Sequence, residues 1–263
     1  MQMEAMMTEQ ATMLERKQLV DRLCAVKKKA CIFDLDGTIA DTVRSIAYTG
    51  NRTLAAFSYP ELAVEGYNYY AGDGARELCR RFLSAARAGR TGAETAPHEW
   101  EQAAKISDTD AEFQAVYQKY QELFKEYCMY EVKPFPGIVE MLSALKERGI
   151  RIAVLSNKPH GRTVDVVEQV FGAGFFDIVQ GQVDGVPKKP APDGAWKIAE
   201  AFSAKPEECI YSGDTDTDMQ TGNAAAMLTL GVLWGFRDAK ELMDNHAMAL
   251  LEAPKDLLSY LGK

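Results

Sequence analysis

The sequence predicts an α/β fold, a parallel sheet with helices on both faces, interrupted by one all-helical insertion. Three observations carry this. Short apolar runs end abruptly in polar residues, as buried strands entering tight turns do. Segments of helical period alternate with those runs. Between Asp41 and roughly Val132 the period is helical throughout, with no convincing strand.

Taken in order, Met1 to Val26 can form a helix, with Met3, Met6, Met7 and Met13 as possible alternative starts, and residues 1–28 are read as an N-terminal helical extension. After Lys27-Lys28-Lys29, the stretch Ala30 to Leu35 is a buried strand that runs into Asp36-Gly37-Thr38. The helical insertion follows over residues 43–131. Leu78, Phe82 and Leu83 form one apolar stripe, and Phe113, Val116, Tyr117, Tyr120 and Phe124 form another. Ala86 to Pro97 reads as a loop, and Pro134 and Pro136 mark the return to the sheet. Ile138, Met141, Leu142 and Leu145 lie on one helix face, bounded by Pro136-Gly137 and Gly149. Ile150 to Leu155 is a second strand, ending in Ser156-Asn157-Lys158-Pro159. Ile178 to Gln180 is a short strand, Ala195 to Phe202 a helix, Cys209 to Tyr211 a third strand ending in Ser212-Gly213-Asp214, and Leu228 to Val232 a further strand. The result is a Rossmann-like core, residues 29–42 and 132–263, carrying an inserted cap domain.

Composition narrows the function. A net charge of -8 argues against a nucleic-acid or anionic-membrane surface, so an anionic ligand would need a locally positive pocket. Cys24, Cys31, Cys79, Cys128 and Cys209 are odd in number and scattered, against a disulfide framework or a zinc site. The N-terminus has no signal-peptide apolar core. The longest apolar stretch, roughly Ala224 to Phe236, is too short to span a bilayer, so the cytoplasm is the expected location.

Ligands of such sheets bind beyond the carboxyl ends of the strands, so the polar strand ends are expected to converge. Asp34 and Asp36, two apart at a strand end, can divide the work. One carboxylate attacks a phosphoryl group, and the other protonates the leaving oxygen and later activates water. Carboxylates beside a phosphate repel it unless a cation is present, and oxygen-only ligation favours magnesium. Asp214 and Asp218 supply further oxygen ligands, while Ser156 and Lys189 can hold the transferring oxygens. Each string alone has a plainer explanation: an ordinary turn or calcium-loop fragment for Asp34 to Thr38, a helix N-cap for Ser156-Asn157, a loop lysine for Lys189, a capped helix start for Asp214 to Asp218. Their order, each at a strand end, favours one site.

Phe33-Asp34-Leu35-Asp36-Gly37-Thr38, Ser156-Asn157-Lys158, Lys189-Pro190-Ala191-Pro192-Asp193 and Gly213 through Asp218 match in order the four motifs of the haloacid dehalogenase superfamily, in its phosphoglycolate-phosphatase-like branch. The resemblance covers roughly Ala30 to the C-terminus. It implies a magnesium-dependent phosphomonoester hydrolase acting on a small phosphorylated metabolite, as a monomer or homodimer. Asp34 would be nucleophile and metal ligand, Asp36 acid/base and ligand through its backbone carbonyl, Ser156 and Lys189 phosphate binders, Asp214 a metal ligand, and Asp218 a further ligand or its supporting partner. Lys188 is a possible substitute for Lys189. Thr38 and Asn157 are candidate substrate-binding residues. So are Gly74 and Arg76 in the cap, where Gly72-Asp73-Gly74-Ala75-Arg76 resembles a substrate-specificity loop. Arg76, Arg80 and Arg81 equally fit a water-facing helix. Rival readings are a sugar-phosphate mutase of the β-phosphoglucomutase type, an inorganic pyrophosphatase, and a non-catalytic binding protein. Dehalogenases and phosphonate-cleaving enzymes are not expected to retain Asp36.

Overall fold

A computed structural model describes residues 16–94 and 99–262. The possible alternative starts at Met3, Met6, Met7 and Met13, and His98, which has no partner visible in the sequence, lie outside them.

A six-stranded parallel sheet forms the core, in the order β5-β4-β1-β6-β7-β8. The strands are β1 (Ala30–Phe33), β4 (Arg151–Pro159), β5 (Ile178–Gln182), β6 (Cys209–Gly213), β7 (Leu228–Val232) and β8 (Ala249–Leu251). Alternation along each strand divides the side chains between two faces. Cys31, Phe33, Ile152, Val154 and Ile210 join one apolar cluster, which includes the buried face of α7 (Ile138–Glu147) and Val166 and Val167 of α8 (His160–Phe171). Ala30, Ile32, Ala153, Leu155, Cys209 and Tyr211 join another, packed against Ala195, Ile198 and Ala199 of α9 (Asp193–Ala201). Residues alternately committed to opposite faces are what a doubly covered parallel sheet requires. Burying each Ile, Leu or Phe contributes about 1.5–3 kcal/mol.

The three-residue strand β8 and helix α8 are among the elements of this half absent from the sequence reading. A helix over 16–25, α1, lies against the same core through Leu23 and Cys24. The buried Lys28 ties its end down by donating to Leu23 O (2.8 Å) and Glu207 O (2.7 Å).

Where the chain leaves and re-enters the core, β2 (Ala40–Asp41) and β3 (Lys133–Pro134) pair antiparallel. Between them come α2 (Val43–Ala56), α3 (Tyr67–Tyr70), α4 (Ala75–Arg87), α5 (Glu99–Ala103) and α6 (Ala111–Tyr127). Helices α2, α3, α4 and α6 share a separate apolar cluster in which Leu78, Phe82 and Leu83 meet Phe113, Val116, Tyr120 and Phe124. Helix α4 runs to Arg87, past the start of the expected loop at Ala86.

Candidate active site

Register brings the distant motifs together. Phe33 at the end of β1 is level with Val154 of β4 on one side and Ser212 of β6 on the other. Asp34, one residue further, therefore stands between Leu155-Ser156 and Gly213-Asp214, and its N–H donates to Ser212 O (2.9 Å). Gly37 then turns the chain at φ 83°, a left-handed conformation that favours glycine. A Cβ there would lie 2.2 Å from Asp214 Oδ2, so the turn also needs the missing side chain.

Asp34, Asp214 and Asp218 form a buried triad whose ligand oxygens all lie within 4.8 Å of one another. Lys189 Nζ stands 2.7 Å from both Asp34 Oδ1 and Asp218 Oδ1. Its hydrogen bond is directed at Asp218; by geometry Asp34 Oδ1 has no hydrogen-bond donor despite the ion pair. One ammonium thus meets two of the three carboxylates. Burial, with Asp218 and Asp36 adding and Lys189 opposing, pushes the Asp34 carboxyl up to about 7. Burial and the charges of Asp218 and Asp34 hold Asp214 well above the usual carboxylate range. Burial disfavours the Lys189 ammonium, but Asp218 and Asp34 outweigh it and raise its pKa. An all-oxygen donor set with excess negative charge suits a hard divalent cation, so the residues present fit magnesium.

The remaining oxygens are anchored. Asp214 Oδ1 accepts from Thr38 Oγ1 (2.6 Å) and Oδ2 from Phe236 N (2.8 Å). Asp218 Oδ2 accepts from Thr215 N (3.2 Å) and Thr215 Oγ1 (2.7 Å), completing a capping box at the start of α10 (Asp216–Ala224). The plain capping reading of this acidic run therefore holds together with the site reading, one oxygen serving each.

Several expected site residues are placed otherwise. Thr38 spends its hydroxyl proton on Asp214, and the residue is not in the wall of the crevice. Asn157 clasps the Lys189 backbone, accepting from Lys189 N (3.0 Å) and donating to Lys189 O (3.1 Å), and also donates to Gly72 O (3.3 Å) in the insertion. Its amide is therefore structural, although the residue lines the site. Arg76 points away from the crevice: it pairs with Asp108 (2.9 Å) and lies over Phe113 and Tyr117. Arg80 follows it one turn later on the same face and pairs with the same Asp108, while Arg81 pairs with Asp73. Gly74 does line the crevice, with φ 89°. Ser156 lies in β4, and α8 begins beyond it with no side-chain cap, so the N-cap alternative is not its role. Lys189 reaches the carboxylates, whereas Lys188 donates to Asp73 O (2.7 Å). The Asp36 carboxylate stands outside the triad, leaving its backbone carbonyl for the expected metal contact; its Oδ1 accepts from Lys158 Nζ (2.7 Å).

The insertion closes over this site through two core residues, Thr217 inside the fourth motif and Arg237 outside every motif. Thr217 Oγ1 donates to Asp73 Oδ1 (2.7 Å), and Arg237 Nη2 to Ala71 O (2.9 Å). Beneath them lies a chamber of about 50 Å³, walled by Asp34, Asp36, Ser156 and Lys158 below and by Ile46, Ala71, Leu78, Tyr120 and Phe124 from the insertion. A larger cavity, about 410 Å³, shares Ser156 and Asn157 with this chamber and is also lined by Lys189. It is mostly apolar and includes no carboxylate, so the chemistry belongs to the smaller chamber.

No helix among the described residues is long and apolar enough to cross a membrane. The profile of the haloacid dehalogenase-like hydrolases matches residues 31–232. The phosphoglycolate phosphatase of Aquifex aeolicus (strain VF5) is 28% identical over 233 residues, covering 83% of this chain and 98% of that protein. That of Escherichia coli (strain K12) is 27% identical over 234 residues, covering 88% and 91%. A crystal structure from Lactobacillus delbrueckii subsp. bulgaricus, provisionally named a phosphoglycolate phosphatase, superposes with a TM-score of 0.81 at 28% identity, covering 90% of this chain and 99% of that one. The chain belongs to the haloacid dehalogenase-like hydrolase family, and within it is a phosphatase resembling the phosphoglycolate phosphatases.

Proposed function

We propose that this phosphatase releases inorganic phosphate from small phosphomonoesters of the phosphoglycolate type, through a covalent phosphoryl intermediate on Asp34. The observation that carries the reading is the buried triad of Asp34, Asp214 and Asp218, of which Asp34 opens, with Ser156, onto the small chamber under the insertion. Asp34, Asp214 and Asp218, with the Asp36 backbone carbonyl, would hold magnesium. The bound ion supplies positive charge that offsets repulsion between the phosphate and the carboxylates and orients the phosphate.

In the first step an Asp34 oxygen bonds to phosphorus as the bond to the leaving oxygen breaks, and Asp36 gives that oxygen its proton. The Ser156 hydroxyl and the Lys189 ammonium meet the equatorial oxygens as charge shifts onto them. In the second step Asp36, now a carboxylate, takes a proton from a water molecule whose oxygen attacks phosphorus. Phosphate departs and Asp34 returns as a carboxylate. The insertion, residues 43–131, acts as a cap that keeps bulk water out while the intermediate persists.

Phosphate release with magnesium, measured on a panel of phosphomonoesters, tests this. Activity on phosphoglycolate that Asp34→Asn abolishes supports it. Isomerised hexose phosphate with little free phosphate indicates a mutase instead, and release confined to pyrophosphate indicates a pyrophosphatase.

A further inference from the structure

Lys158 is the one cationic side chain in the wall of the small chamber among the described residues, and no step above uses it. Its backbone is pinned on both sides: Lys158 N donates to Ser156 Oγ (3.2 Å), and Lys158 O accepts from Thr163 Oγ1 (3.0 Å). Its side chain is only 4% exposed. A buried ammonium is costly unless its charge is met. Here Asp36 Oδ1 meets it at 2.7 Å from the core side, and the Phe124 ring of α6 covers it from the cap side, with the centroid 5.0 Å from Nζ.

Among the described residues Asp36 accepts no other side-chain hydrogen bond. Without Lys158 its carboxyl group is free to swing, because it follows a strand end and leads into the Gly37 turn. We propose that Lys158 is a positioning residue: it holds the Asp36 carboxyl group where it serves the leaving oxygen, and Phe124 completes its seat only when the cap is shut. Placement of the acid/base group is thereby coupled to cap closure. The inference rests on the reading of Asp36 as acid/base.

The leaving group supplies the test. A p-nitrophenolate departs readily without a proton, whereas phenolate relies on the acid far more. With kcat/KM, which reports steps up to leaving-group departure, Lys158→Gln is expected to lose at least about tenfold on phenyl phosphate and about threefold or less on p-nitrophenyl phosphate, a portion of the 10²–10⁴-fold available from general acid catalysis. Lys158→Arg restores most of the rate on both esters. Phe124→Leu, which keeps Lys158 and the apolar volume, shows the same leaving-group bias at smaller amplitude, and it decides the matter with Lys158→Arg if Lys158→Gln fails to fold. Equal losses on the two esters, or a Phe124→Leu enzyme indistinguishable from the parent, overturn the proposal. A parent enzyme that releases phosphate from neither ester instead removes the phosphatase reading, and with it the proposal's premise.

Discussion

Replacing Thr38 by valine separates two accounts of that residue. Its hydroxyl is buried and donates to Asp214 Oδ1 at 2.6 Å, while Asp214 is fully buried and already held well above the usual carboxylate range. Valine keeps the shape and removes the donor. A hydrogen bond to a charged acceptor contributes about 1.5–3 kcal/mol. At about 1.4 kcal/mol per factor of ten, the loss corresponds to about 10- to 100-fold in affinity for an ion that needs Asp214 as a carboxylate. Calorimetric titration of magnesium into the substrate-free protein should show that loss, with Thr38→Ser close to the parent. At saturating magnesium the KM for phosphomonoesters should be unchanged. Unaltered magnesium affinity with a raised KM would refute the reasoning and return the hydroxyl to the substrate.

Other outcomes follow from the same geometry. Arg76→Ala should leave KM within about twofold and shift stability by at most about 1 kcal/mol, because its partner Asp108 is a surface group; steady-state kinetics and thermal melts check both. Thr217→Val removes the hydroxyl that holds Asp73 of the cap and should weaken closure by about 0.5–1.5 kcal/mol, seen as faster hydrogen exchange over residues 69–74. Lys28→Met strands two carbonyls, Leu23 O and Glu207 O, and should cost about 1–3 kcal/mol in urea unfolding. Magnesium at about a hundred times its Kd should raise stability by about 2.7 kcal/mol, and chelation should reverse the gain in the parent protein but find none to reverse in Asp214→Asn.

The triad and its lysine were legible in the sequence because each motif ends a short apolar run, and parallel strands carry their ends to one edge of the sheet. Strand order was not needed for that. Side-chain direction was the missing quantity. Thr38 follows a left-handed glycine, which swings its hydroxyl toward Asp214. Arg76 belongs to a helix whose Ala75 and Leu78 line the chamber, and its own side chain turns instead to the exposed Asp108, which the buried Arg80 also meets. Asn157 sits inside a matching motif, yet its amide fits the Lys189 backbone. Cap contacts were illegible for another reason: Asp73 and Thr217 are 144 residues apart, and neither belongs to a periodic pattern. Strand β8, three residues long, offers too little alternation to be recognised against its surroundings.

Trapping the covalent intermediate bears most directly on the central claim. Enzyme quenched in acid during turnover of a phosphomonoester with magnesium, then treated with borohydride, is reduced wherever a carboxylate carried the phosphoryl group; peptide mass spectrometry locates the change. The account predicts reduction at Asp34 and none in enzyme quenched without substrate. Reduction at another carboxylate, or an unmodified Asp34 in enzyme that was turning over with the intermediate accumulated, would contradict it.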